Sequence, residues 1–115
     1  MPRTAQQDKG QQGEDAALVH LTRQGLKLVE RNFRCAGGEL DLIMRDGDCL
    51  VFVEVRRRRS MRFGGAAASI TPTKQRRLVH AAQTFLLRYP RLPPCRFDVI
   101  AIDAGDIEWL KNVMS

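Results

Sequence analysis

Residues 39–59 read ELDLIMRDGDCLVFVEVRRRR. Apolar and polar side chains alternate on both sides of Asp46-Gly47, the pattern of two strands joined by a tight hairpin turn. Alternation puts Glu39, Asp41 and Ile43 on one face of the first strand, with Leu40, Leu42 and Met44 on the other. Leu50, Phe52, Glu54 and Arg56 share a face of the second strand. With Asp46 and Gly47 at the centre of the turn, Met44 lies opposite Cys49, Asp41 opposite Phe52 and Glu39 opposite Glu54, and Asp41 is diagonal to Glu54. A four-residue loop would keep this facing, and a three-residue bulged loop would invert it.

Three carboxylates on one patch of sheet repel each other unless positive charge lies among them. A divalent ion is one source, since Mg²⁺ takes oxygen ligands and is held by one or two carboxylates with water and phosphate completing its shell. The other is a salt-bridge network at the strand ends that draws Glu39, Glu54, Arg56 and Arg58 together. Spacing leaves both open.

Outside the hairpin, residues 1–10 are polar, rich in Gln and without periodicity, which predicts a flexible tail ahead of a single domain over 11–115. GEDAALVHLTRQ, residues 13–24, sets Ala17, Leu18 and Leu21 at helical spacing, with Gly25 placed to end the helix. LKLVERNF alternates as a strand, and SMRFGGAAASI, residues 60–70, reads as a loop. Thr71 followed by Pro72 predicts a helix cap and a first helical residue. Leu78, Ala81, Ala82, Phe85 and Tyr89 carry that helix on until Pro90 stops it. CRFDVIAI is a β-prone strand, and the segment around Ile107 and Trp109 is too short to type. The expectation is an α/β domain of order αβββαβ, a mixed sheet flanked by helices.

Nineteen Lys and Arg against thirteen Asp and Glu give the 115 residues a formal charge of +6, and a pI near 9.9. No acid interrupts the chain between Glu54 and Asp98, a stretch that carries Arg56, Arg57, Arg58, Arg59, Arg62, Lys74, Arg76, Arg77, Arg88, Arg91 and Arg96. Such a block is the footprint of phosphate contacts or else a solvated basic face. The odd number of cysteines, Cys35, Cys49 and Cys95, has no metal-knuckle spacing. With no apolar leader and no spanning run, a reducing cytoplasmic setting is expected.

Glu14 falls in the first turn of the expected helix, where the helix dipole already favours a carboxylate. Lys74 sits one turn before Leu78 and projects from the edge of the packed stripe, either beside the hairpin acids or snorkelling from the core. Gln75 next to it either binds substrate or caps the helix. His20 and His80 read as structural, and Arg96 and Asp98 as partners on one strand face.

GEDAALVHLTRQG, RNFRCAGGELDLI, VFVEVRRR, FGGAAASIT, KQRRLVHAA and RFDVIAI, in this order, resemble the YraN family of small bacterial proteins over nearly the whole chain, from Gly13 to about Trp109. That family looks like a branch of the PD-(D/E)XK nucleases, with a restriction-endonuclease-like core closest to the archaeal Holliday junction resolvases. The resemblance implies Asp41 and Glu54 as Mg²⁺ or Mn²⁺ ligands, Glu14 as a further acid holding metal or water, and position 56 as the residue that orients water or stabilises the phosphate. The family's lysine is here Arg56. An arginine stays protonated and so is no general base, though it stabilises developing negative charge. Lys74 is a candidate to supply the missing amine.

Three functions follow as expectations. The first is a Mg²⁺-dependent endonuclease on duplex or branched DNA, with Arg57, Arg58, Arg59, Arg62, Lys74, Gln75 and Arg77 along the backbone. The second is a nucleic-acid-binding module on the same fold, impaired by Arg56. The third is a protein-interaction domain whose arginines meet an acidic partner. A homodimer would suit a branched substrate.

Overall fold

The computed structural model describes residues 5–57, 70–103 and 105–114. Within them the order is α1 (Ala5–Arg23), β1 (Lys27–Cys35), β2 (Gly38–Asp46), β3 (Cys49–Arg57), α2 (Pro72–Leu86), β4 (Cys95–Asp103) and β5 (Asp106–Leu110). The strands form one sheet in chain order, antiparallel except for the parallel pair β3–β4. A parallel pair needs a long crossover, and α2 lies within it. The expected α/β order holds, with the untyped C-terminal segment now the edge strand β5.

Each helix covers one face of the sheet. Ala17 and Leu21 of α1 pack on Leu42, Met44, Val51, Val53, Ile100 and Ile102. On the opposite face Leu78, Ala81, Ala82 and Phe85 of α2 meet Ile43, Leu50, Phe52, Val99 and Ala101. Phe85 is fully buried and sits edge-on to Phe33 at 5.3 Å and to Phe52 at 6.3 Å. Burying a side chain of this size stabilises the fold by roughly 1.5–3 kcal/mol.

Thr71 caps α2 as its sequence predicts: the hydroxyl accepts from the Lys74 amide at 3.2 Å, and Pro72 is the first helical residue. The helix then lies so close to β2 that a Cβ on Gly38 would run into the Arg77 carbonyl oxygen and stand 3.1 Å from Ala81 Cβ. Only glycine admits that approach.

Three sequence expectations change. The turn centre is Gly47-Asp48, since Asp46 pairs with Cys49. Gly47 takes φ 61, the conformation that hairpins with glycine at the first central position require. The ladder therefore slides by two residues, and one step beyond its last pair, Leu42 with Val53, Asp41 rather than Glu39 comes beside Glu54. Next, α1 starts at Ala5, ahead of the expected Gly13, because a helix segment without an apolar stripe leaves no periodic signal. Last, alternation breaks on β2: Leu40 joins the α2-side core while Leu42 joins the α1-side core.

Candidate metal and phosphate site

Both ladders that flank Asp41 are interrupted at that residue. The β2–β3 pairing ends at Leu42 and Val53, while β3 runs on beside β4 to Arg57 opposite Ile102. Past Val53 the backbone of β3 therefore loses its β2 partner. The Asp41 carboxylate takes that place, with Oδ2 accepting from the Val55 amide at 2.9 Å. A side chain finishes the ladder and is thereby aimed into the gap between the strands.

Glu54 points into the same gap from the α2 side, only 5 % exposed. It lies within hydrogen-bonding reach of Asp41, and burial first, then the neighbouring Asp41 charge, pushes its carboxyl up to about 8. The ammonium of Lys74 opposes that rise, with Nζ 3.1 Å from Glu54 Oε2. This oxygen is sealed from solvent and makes no well-aligned hydrogen bond. Asp98, the other buried acid among the described residues, is the opposite case: it accepts from Arg96 Nε at 3.1 Å, Trp109 Nε1 at 2.9 Å and the Asn112 amide at 2.9 Å. The expected Arg96–Asp98 pair is thus present, and Arg96 also reaches Asp46 at 3.0 Å.

Glu14 approaches from α1. It lies well inside the helix, so the dipole at a helix start does not account for it. Burial, then the charge of Asp41, raises its carboxyl above the ordinary value, against the pull of Arg31 at 3.9 Å. With the Asn32 amide turned so that nitrogen faces the carboxylate, it donates to Oε1 at 2.9 Å and Oε2 at 3.2 Å. Asp15, beside it, is bound to Arg31 at 2.7 Å. Among the described residues no three His, Cys, Asp or Glu side chains gather closely enough to hold one ion, so Asp41 and Glu54 are the pair brought together and Glu14 stands behind them.

The remaining candidates divide. Arg56 is half-buried and, two residues beyond Glu54, shares its face of β3. Arg57 faces α1, its aliphatic stem along Gly13. Gln75 donates its side-chain amide to the Ile70 carbonyl at 3.1 Å. Arg77 lines a small hollow with Glu39, Lys74 and Leu78. Glu39 is exposed and pairs with Arg34 at 3.7 Å, so it leaves the acid cluster in which sequence spacing put it. Arg58, Arg59 and Arg62 lie outside the described residues. His80 binds the Ala36 carbonyl at 2.8 Å, a structural tie between α2 and the β1–β2 turn. Sequence reasoning missed Asn32, whose only signal was that asparagine tolerates left-handed backbone.

The molecule is a mixed-sheet α/β domain with a buried acid pair where two of its strands part. Residues 13–102 match the family described as Uncharacterised protein family UPF0102, and the chain belongs to that family, the YraN family that its sequence blocks resemble. It is 65% identical over 113 residues to a UPF0102 protein of Herminiimonas arsenicoxydans, covering 98% of this chain and 91% of that one. A relative from Janthinobacterium sp. (strain Marseille) is 63% identical over 113 residues, covering 98% and 92%. One from Cupriavidus taiwanensis is 59% identical over 109 residues, covering 94% and 83%.

Proposed function

We propose that this chain is a metal-dependent endonuclease of the PD-(D/E)XK type acting on the phosphodiester backbone of duplex or branched DNA in the cytoplasm. The observation that carries the reading is Glu54: a carboxyl buried beside Asp41, raised to about 8, with one oxygen lacking an aligned hydrogen bond. Two carboxylates side by side where the strands part, one of them buried, fit a small hard cation, and Mg²⁺ or Mn²⁺ is the group that Asp41 and Glu54 would hold. When bound, such an ion polarises a phosphate and makes water a better nucleophile at neutral pH.

The chain's own groups divide the other work. Lys74 sets its ammonium 3.1 Å from Glu54, where an amine can stabilise the charge that grows on a phosphate and hold the attacking water. Arg56 supplies fixed positive charge from the position of the family's lysine. Glu14, its carboxyl raised, stands beside Asp41 to hold water. Lys74, Arg76 and Arg77 give α2 three cations and no acid, a surface for backbone contacts that carry no sequence information. No helix among the described residues is long and apolar enough to cross a membrane.

A second reading, a binding module without turnover, is favoured by Arg56, which cannot act as a base. The test is cleavage of labelled duplex and four-way-junction DNA with Mg²⁺ or Mn²⁺. Cleavage by the wild type that Glu54→Gln abolishes supports the nuclease. Binding that weakens steeply with salt, without cleavage, supports the module. Binding to neither DNA refutes both.

A further inference from the structure

Asn32 carries φ 53 and Asn112 φ 54, the two described residues other than glycine with a left-handed backbone. Asn32 is exposed, so core packing does not account for the strain. In the β1–β2 ladder it occupies the place between the pairs Arg31–Leu42 and Phe33–Leu40, across from Asp41. The strand faces change hands at this position. Arg31 reaches α1 through Glu14 and Asp15, whereas Phe33 packs on Phe85 of α2. On the partner strand Leu42 serves the α1-side core and Leu40 the α2-side core. Asp41 is thus the residue at which β2 turns over, and its carboxylate points along the sheet into the gap rather than to either face.

We infer that Asn32 is a positioning residue of the acid site: its left-handed backbone turns the β1–β2 hairpin so that Asp41 enters the gap, and its amide clamps the Glu14 carboxylate behind Asp41. This rests on the acid pair being a cation site, as proposed above. The two halves of the role are separable. Asn32→Gly keeps the backbone at no steric cost and removes the clamp, whereas Asn32→Ala removes the clamp and also strains the turn.

The test measures uptake of Mn²⁺ alone by electron paramagnetic resonance, together with the side-chain amide signals of Asn32 in a ¹⁵N–¹H spectrum. The expected results are an Mn²⁺ dissociation constant about tenfold higher for Asn32→Gly, the usual scale for a group that supports metal ligands from behind, with its melting temperature held. Asn32→Ala is weaker still, and the Asn32 amide signals move upfield in Glu14→Ala. Mn²⁺ binding by Asn32→Gly within twofold of wild type overturns the inference, as do amide signals indifferent to Glu14→Ala. If the wild type takes up no Mn²⁺, the cation site itself falls, and the amide signals alone then decide whether the clamp exists.

Discussion

Glu54→Gln is expected to stabilise the metal-free protein, and more so the higher the pH. Glutamine keeps the shape of a protonated glutamate and can still donate toward Asp41, but it never ionises. The glutamate carboxyl has an ordinary value of 4.5 and is pushed to about 8 in the fold, by burial and then by Asp41. Below pH 4.5 folded and unfolded chains both hold the proton, and the stability is fully present. Between 4.5 and about 8 the unfolded chain releases its proton while the folded one keeps it, so each pH unit removes about 1.4 kcal/mol. The loss ends above about 8, with a ceiling of about 5 kcal/mol. That is a large share of the 5–15 kcal/mol typical of a whole domain. Urea unfolding in chelator from pH 5 to 9 measures it. Far-UV circular dichroism is the right signal, because it follows both helices and the sheet, whereas the single tryptophan, Trp109, lies in the edge strand β5. The stability gap between Glu54→Gln and wild type should widen by about 2–5 kcal/mol across that range, and Mg²⁺ added at pH 8 should stabilise only the wild type. Parallel stability curves would refute the reasoning, because they would mean that Glu54 titrates alike in both states.

Lys74→Met removes the cation that opposes neutralisation of Glu54, so the Glu54 carboxyl should titrate above about 8, as followed by carboxyl carbon shifts in NMR. Because the lysine is about a third exposed, its stability cost should stay within about 1 kcal/mol. Cleavage unchanged by Lys74→Met would remove the amine from the mechanism. Gly38→Ala must push α2 off β2, since the new Cβ meets the Arg77 carbonyl; a loss of about 1–3 kcal/mol in denaturant unfolding is expected. Asp98→Ala leaves Arg96 with Asp46 as its remaining acid partner and unties Trp109 and Asn112. It should cost about 3–5 kcal/mol and loosen β5, read as faster hydrogen exchange at Ile107 to Leu110.

The two buried acids show how far the sequence could be read. Each stands in an apolar strand, Glu54 in VFVEV and Asp98 in RFDVI, and local pattern gives both the same context. Alternation brought Asp41 near Glu54 and put Arg96 beside Asp98, because a two-residue period survives a shift of the turn, but the Asp41 carboxylate points into the gap between the strands and not to the shared face that alternation implied. The cap at Thr71-Pro72 and the stripe through Phe85 were legible for the same reason: they are local. What was not legible depends on contacts between distant segments. The left-handed backbone of Asn32 breaks the period at Asp41, so Glu39, equal to Asp41 by alternation, ends exposed against Arg34. Only the fold separates the two acids in kind. Asp98 is met by an arginine, an indole and an amide, so its charge is already answered and its burial holds β5 in place. Glu54 is met by a second carboxylate and one ammonium about a third exposed, and its ionised form opposes folding. A cation delivered to the gap would offset that opposition, which is why removing the charge should stabilise the empty site and cost the molecule its affinity for the ion.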